Sequence, residues 1–99
     1  MARFDVYKNP DGPGCLLDIQ ADLLGHLNTR VVVPLLPRSL APQPARTLNP
    51  CFDIGDETLV MATQFMAAVP ARMLRAPLTS MGTRRDEIVA AIDLLMQGF

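Results

Sequence analysis

TRRDEIVAAIDLLMQGF, residues 83–99, is the stretch with the clearest helical period in this chain. Its apolar side chains recur three and four residues apart, which places them on one stripe of an α-helix and predicts that this stripe packs on a core. The stripe consists of Ile88, Ala91, Ile92 and Leu95. The spacing Thr83-x-x-Asp86 predicts a helix start of the capping-box type, and Gly98 predicts the helix end.

Phe99 follows directly after that glycine. A large apolar side chain in this position either folds back onto the domain or contacts a partner. Spacing alone favours fold-back, because large apolar side chains are usually buried.

The composition is apolar for a short chain, with 49% hydrophobic and 19% charged residues among 99. A chain of this length forms one domain, residues 1–99, which buries only about 60–65% of the surface of the unfolded chain. The surplus of apolar residues predicts a buried interface between two copies. We therefore expect a homodimer.

Charge and cysteine content exclude several classes of protein. The formal net charge is −1 and Lys8 is the only lysine, which argues against strong nucleic-acid binding by the protein alone. Residues 1–4 do not resemble a signal peptide, and no apolar run is long enough for a membrane span. We expect a cytoplasmic protein with Cys15 and Cys51 as reduced thiols.

Short alternating runs predict an opening hairpin. Phe4 and Val6 alternate with polar residues and are expected to face inward. The turn-forming residues 9–14 then reverse the chain, so residues 15–20 are expected to return beside the first strand. Leu17 and Ile19 fall on one face of that second strand.

The middle of the chain predicts further strands. Residues 30–33 form a β-branched run that Pro34 is expected to end. Residues 51–54 and 58–63 flank a Gly-Asp pair and predict a hairpin. One more short edge strand, interrupted by proline, is expected between Val69 and Leu74.

Two segments resist assignment. Residues 21–27 fit a helical turn as well as a loop lined with hydrophobic side chains. Residues 34–50 contain five prolines and predict a long irregular connection, either a wrapping loop, which is favoured, or a binding surface. Several short antiparallel strands followed by one helix predict a mainly β fold: a small β-barrel or paired sheets, with the helix across an open side.

Residues suited to catalysis are few. His26 is the only histidine and has no nucleophile beside it in the sequence, so a surface role is favoured. Asp18 and Asp22 are expected on a solvated face and not as an acid–base pair. No zinc-type spacing and no phosphate-binding loop is present, so we expect no metal, no cofactor and no catalytic residue. Binding is favoured over catalysis.

Read together, the motifs of the chain resemble the CcdB-type toxins of plasmid and chromosomal toxin–antitoxin modules. The resemblance runs almost from end to end and depends on the order and spacing of six motifs. These are Phe4-x-Val6-Tyr7, Asp18-Ile19-Gln20-Ala21-Asp22, Arg30-Val31-Val32-Val33-Pro34-Leu35, Ile54-Gly55-Asp56-Glu57, Met66-Ala67-Ala68-Val69-Pro70 and Ile88-x-x-Ala91-Ile92-Asp93-Leu94.

This resemblance implies an SH3-like β-barrel with a C-terminal helix, assembled as a homodimer. It implies a non-enzymatic poison, associated with plasmid maintenance, that binds the A subunit of DNA gyrase and traps the cleaved complex. A cognate antitoxin would remove it. The gyrase contact of the family falls here on Gln97, Gly98 and Phe99, and the positions beside that contact fall on Leu23, Leu24, Asp93 and Met96.

One position departs from the family pattern. Gln97 stands where the family has a tryptophan, and an amide cannot stack on a guanidinium group as an indole does. One alternative is therefore a divergent or inactive toxin that acts mainly in antitoxin binding and operon autoregulation. A further alternative is a MazF-like endoribonuclease, which predicts RNA cleavage that is lost when an arginine such as Arg30 is replaced.

Overall fold

The computed structural model describes residues 2–99, in which seven strands and one α-helix form the regular structure. The helix is α1 (Arg85–Gln97). The strands are β1 (Asp5–Lys8), β2 (Cys15–Asp18), β3 (Thr29–Pro37), β4 (Cys51–Ile54), β5 (Glu57–Met61), β6 (Ala67–Pro70) and β7 (Thr79–Ser80).

β3 organises the sheet because it pairs with three neighbours, all antiparallel. β2 lies along one flank, while β6 pairs with residues 29–32 and β5 with residues 35–37 on the other flank. The strand order is β4-β5-β3-β2-β1-β7, with β6 as the additional partner of β3. The sheet forms a nearly closed barrel, which confirms the prediction of a small β-barrel with one C-terminal helix.

The prediction that Pro34 ends its strand is wrong, because β3 continues to Pro37. The Pro34 carbonyl accepts a hydrogen bond from the Ala62 N–H at 2.9 Å, so its backbone faces the flank where the partner changes from β6 to β5. Proline is tolerated there because no ladder bond needs its missing N–H. The irregular connection therefore covers only residues 38–50.

Both predicted hairpins are confirmed. β1 pairs with β2 in a register that sets Val6 opposite Leu17, and β4 pairs with β5 around Gly55, whose φ is 61°. The positive φ explains the glycine at that turn, since side chains rarely adopt this conformation. The edge strand predicted between 69 and 74 is found earlier, as β6, and the two-residue β7 was not predicted.

The main core lies between the inner face of the sheet and α1. Ile88 and Ala91 are fully buried there, and Ile92 packs against the same cluster. Phe4 and Val6 face this core as predicted, although Phe4 precedes β1 with a φ of 73°. A second, smaller cluster lies on the opposite face of the sheet. It contains Tyr7, Leu16, Val32 and Leu74.

Candidate functional site at the end of the C-terminal helix

The start of α1 does not use the predicted capping box. A 3-10 turn over Gly82–Arg84 precedes the helix, and no side chain caps the helix N-terminus. Thr83 lies inside this turn, so it is not the N-cap residue. The reason is that the Arg84 N–H already bonds to the Met81 carbonyl at 2.9 Å, which delays the helix start beyond Thr83.

Arg84 makes two side-chain contacts at the start of the helix. Its Nε donates to Oε1 of Glu87 at 2.6 Å, and its guanidinium lies 5.0 Å from the centre of the Phe52 ring on β4. The hydrogen bond with Arg84 lowers the pKa of Glu87. Both side chains are exposed, so this pair contributes little to stability but orients the first turn.

The other end of α1 is as predicted. Gly98 has a φ of 81°, in the left-handed region, and its N–H donates to the Leu94 carbonyl at 3.0 Å. This is the usual glycine termination of a helix, because a residue with a Cβ is strained in that conformation. The chain therefore leaves the helix axis at Gly98, and Phe99 does not continue the helix.

Large apolar side chains are uncovered at this end. Leu95 is 37% exposed, Met96 62% and Phe99 84%. The prediction that Leu95 belongs to the buried stripe is wrong, and so is the fold-back of Phe99 that spacing favoured. Exposed apolar side chains grouped at one end of a helix are a common feature of binding surfaces.

Gln97 is also exposed, and it is tied to its own helix. Its Nε2 donates to Oδ1 of Asp93, one turn earlier, over a long distance of 3.4 Å. The two side chains thus form a weak polar pair beside Met96. Met96, Gln97, Gly98 and Phe99 are brought together by the helix end, with Asp93 bordering them.

Leu23 and Leu24 lie on a different element, a 3-10 turn over Asp22–Leu24 that resolves the unassigned segment. Leu23 is 87% exposed. The turn is held by the Arg3 N–H, which donates to Oδ1 of Asp22 at 2.8 Å, and by the amide of Gln20, which donates to the Leu24 carbonyl at 3.1 Å. In the described residues no hydrogen bond or ion pair joins this turn to α1.

A buried ion pair beneath that turn was not predicted. Arg30 donates through Nε to Oδ2 of Asp18 at 2.9 Å, and its Nη2 lies 2.7 Å from the same oxygen. Both side chains are fully buried, so the solvated position predicted for Asp18 is wrong, whereas Asp22 is exposed. Burial raises the pKa of Asp18, and the hydrogen bonds from Arg30 and from the Gln20 N–H oppose that effect.

A sequence signal for this pair exists, although it is weak. Asp18 pairs with Val32 across β2 and β3, so Arg30 is its diagonal neighbour on the same face. The pairing of β2 with β3 thus brings the Asp18 carboxylate within reach of the Arg30 guanidinium. Gly25 lies over the guanidinium, since a Cβ there would stand 3.7 Å from the Arg30 Nη1. His26 is exposed in the same loop.

Other kinds of site find little support in residues 2–99. They contain no group of three or more His, Cys, Asp or Glu side chains that could hold a metal ion. Cys15 and Cys51 are both free thiols, and burial raises the pKa of Cys15. No helix in this range is long and apolar enough to cross a membrane.

Comparison with known families agrees with the resemblance read from the motifs. Residues 3–98 match the family described as CcdB protein. The chain belongs to the CcdB family. This membership covers both the turn with Leu23 and the end of α1. A CcdB protein is a toxin of the toxin–antitoxin class and not a classical enzyme.

A solved structure shares the CcdB-like fold. It is described as an endoribonuclease in complex with its cognate antitoxin from Mycobacterial species. The match has a TM-score of 0.74 and 16% sequence identity, and it covers 97% of this chain and 94% of the other. At this identity the likeness shows a common fold and nothing about activity.

Proposed function

We propose that this CcdB-family protein is a gyrase-directed toxin. As a homodimer it binds the A subunit of DNA gyrase, traps the cleaved DNA complex, and is removed by a cognate antitoxin. The observation that supports this most directly is the exposed apolar end of α1, where Phe99 is 84% exposed. The resemblance read from the sequence motifs also implies a gyrase contact at this end of the chain.

The shape of that end suits a binding role. Gly98 ends the helix and turns the chain, so that Phe99 projects without covering the core. An aromatic side chain that becomes buried in a partner often contributes about 2 kcal/mol or more to an interface. Met96 adds a flexible apolar side chain beside it, of the kind that adapts to irregular surfaces.

Gln97 supports a second candidate, the divergent toxin that acts mainly through its antitoxin. The missing indole removes a stacking partner for arginine, and Gln97 is bonded instead to Asp93. Loss of an anchor worth about 2 kcal/mol weakens binding by more than tenfold. Under this alternative the protein still binds its antitoxin but leaves gyrase active.

The test compares DNA cleavage and supercoiling by gyrase from the source organism with added wild-type protein and with Gln97→Trp. Trapped cleavage complexes with wild type would support the gyrase-poison proposal. Trapping by Gln97→Trp alone would support the divergent toxin. Phe99→Ala should abolish trapping, whereas Leu40→Ala, at an exposed apolar residue in the 38–50 connection, should not change it.

An endoribonuclease is the third candidate, because a protein of similar fold carries that name. Arg30 is a poor residue for testing it. Its side chain is fully buried against Asp18, so its replacement would act through folding and not through RNA contact. The direct test is incubation of the wild-type protein with RNA. A variant in which the exposed Arg75 is replaced serves as the comparison, in place of a variant of the buried Arg30. We expect no cleavage.

The homodimer is tested by sedimentation equilibrium of the purified protein. A dimer is expected at micromolar concentration, because large apolar side chains away from the end of α1, such as Phe65 and Leu78, are exposed as well. A monomer at every concentration would contradict this part of the proposal and leave the gyrase assay unaffected.

A further inference from the structure

A short turn between β2 and β3 presents apolar side chains to solvent. Leu23 is 87% exposed, Leu24 41% and Leu27 41%. Asp22–Leu24, which we call the Leu23 turn, is a single 3-10 turn in which no side chain is buried. A turn this short does not hold its conformation through its own hydrogen bonds. Its conformation therefore depends on contacts with the barrel.

Gln20 makes the contact between the barrel and the Leu23 turn. Its residue is 7% exposed. Oε1 accepts a hydrogen bond from the Val31 N–H on β3 at 3.1 Å, and Nε2 donates to the Leu24 carbonyl at 3.1 Å. Both ends of one carboxamide are thus engaged. The bridge needs an acceptor and a donor in the same side chain, and an ionised carboxylate supplies only the acceptor.

Gln20 is itself held by the buried ion pair. Its N–H donates to Oδ1 of Asp18 at 3.1 Å, while Oδ2 of Asp18 accepts from Arg30. The Ile19 N–H donates to the Val31 carbonyl at 3.1 Å, which keeps the backbone before Gln20 against β3. Asp18 and Arg30 are fully buried, so neither can leave the pair without burying an unpaired charge. The carboxamide therefore extends from a fixed backbone position.

The Leu23 turn continues over this ion pair. A Cβ at Gly25 would stand 3.1 Å from the Asp22 carbonyl oxygen and 3.7 Å from Nη1 of Arg30, so a larger residue would press on the turn. A second tether, from the Arg3 N–H to Oδ1 of Asp22, is exposed. Water competes for an exposed hydrogen bond, so this tether holds the turn less firmly than the buried Gln20 side chain does.

We propose that Gln20 is a positioning residue, which holds the Leu23 turn in the conformation that presents Leu23 and Leu24 to a partner. Without the Nε2 donor the turn leaves the barrel surface while the barrel stays folded. A partner must then order the turn as it binds, which weakens binding. The identity of that partner as gyrase rests on the proposed function, whereas the positioning of the turn does not.

The experiment measures backbone amide order parameters by NMR in the wild-type protein and in Gln20→Glu. This substitution keeps the oxygen that accepts from Val31, removes the donor, and sets a carboxylate against the Leu24 carbonyl. While the introduced carboxyl group is ionised, the order parameters of residues 22–25 should fall from about 0.85 to below about 0.6. Those of Ala62 in the barrel and Ile88 in α1 should stay at the wild-type value.

Acid provides a rescue that a role in packing alone would not show. A protonated carboxyl group has an O–H that can donate to the Leu24 carbonyl, as the amide does in wild type. The order parameters of residues 22–25 in Gln20→Glu should therefore rise toward the wild-type values as the introduced group is protonated. The other charged or titratable groups around the turn are present in both proteins: Arg3, Asp18, Asp22, His26 and Arg30. Wild type measured over the same pH range is the reference, and it should not gain order in acid.

Gln64→Glu is the matched control. Gln64 is exposed, and its Oε1, which accepts from Nδ2 of Asn49 at 2.7 Å, is kept by the substitution. It should leave the order parameters of residues 22–25 unchanged. If Gln20→Glu does not fold, Gln20→Met decides, since it keeps the side-chain length without a charge and should loosen the turn at every pH.

Three results would overturn the proposal. They are a wild-type order of residues 22–25 in the folded variant of Gln20, an equal loss of order throughout the barrel, and an equal loss in Gln64→Glu.

Gyrase trapping tests the partner separately. Gln20→Glu should need at least about tenfold more protein than wild type or Gln64→Glu to trap the same amount of cleaved DNA. Equal trapping by a variant with a loosened turn would overturn the role of the turn in binding. If wild type traps no gyrase, the proposed function fails, and the order parameters still decide whether Gln20 positions the turn.

Discussion

The two halves of α1 have similar apolar content and opposite surroundings. In the first half Ile88 and Ala91 are fully buried against the barrel, whereas in the second Met96 is 62% exposed and Phe99 beyond it 84%. The helical period defines the face of the helix but not how far the core extends beneath it. Where an apolar stripe extends beyond the core, its side chains are exposed and are available to a partner.

The sharpest test of this contrast is a buried charge in the first half. Ile88→Asp should reduce the free energy of unfolding by about 3–5 kcal/mol, because the carboxylate has no partner in the core. Urea denaturation followed by circular dichroism measures this loss. Met96→Asp places the same charge at the exposed end and should change stability by no more than about 0.5 kcal/mol.

Ile92 lies between the two halves and packs against the main core while only half-buried. Ile92→Asp should also unfold the domain, since it replaces an apolar side chain that packs on the core with a charged one. If the Ile92→Asp protein stays folded, the part of α1 that must remain apolar for folding ends at Ala91. Equal losses at Ile88, Ile92 and Met96 would contradict the contrast between the two halves.

Deletion of Gly98 and Phe99 should separate binding from folding. These residues are exposed and belong to neither hydrophobic core cluster, so the thermal midpoint should hardly change. Gyrase trapping and toxicity should be abolished. A large fall in the thermal midpoint would mean that Phe99 packs on the domain in solution, and would remove the distinction between the two halves.

Gly98→Ala tests the helix end itself. No atom lies within 4 Å of a Cβ at this position, so the cost comes from the φ of 81° alone and should be about 1 kcal/mol. Denaturant midpoints measure it. Gly12→Ala is the control, because Gly12 has no positive φ and its Cβ would stand 3.9 Å from the Asn9 amide, an ordinary contact.

The smallest effect is expected at the start of α1. The hydrogen bond with Arg84 lowers the pKa of Glu87, so the stability it contributes is present above the unfolded pKa of about 4.3 and is lost as pH falls through the folded pKa. Glu87→Gln should lower the thermal midpoint slightly at neutral pH and leave it unchanged in acid.

Asp86→Asn is the matched control for that substitution. Asp86 is a neighbouring exposed carboxylate, and its contact with Arg85 is longer, at 3.7 Å. It should change the thermal midpoint less than Glu87→Gln does at neutral pH. A pH dependence in Glu87→Gln identical to that of wild type would show that the Arg84 pair does not stabilise the helix start.

Local patterns predicted those elements whose determinants are close together in the sequence. The turn residues 9–14 and Gly55 specify hairpins, and the period of α1 specifies its buried face as far as Ile92. Elements that depend on distant partners were missed. β7 has two residues and no pattern of its own, and it is a strand only because β1 lies beside it.

The same distinction between local and distant determinants applies to the surface features of the protein. The sequence, through its resemblance to the CcdB family, indicated the end of α1, and the exposure of Met96 and Phe99 agrees with a binding role there. No feature of the sequence suggested that Lys8 and Arg75 line one hollow, because they are far apart along the chain and meet only across the fold. The ion pair of Asp18 and Arg30 is long-range for the same reason.

The sequence by itself determined the strands and turns of the two hairpins, the helix and the glycine that ends it, since each depends on backbone preferences and periodicity within a few residues. Only the tertiary structure decided that β3 runs on through Pro34, because this required the change of partner from β6 to β5 on one flank. It also decided that Asp18 is buried and Phe99 is not. Burial depends on what lies opposite a residue in space, and local sequence carries little information about that.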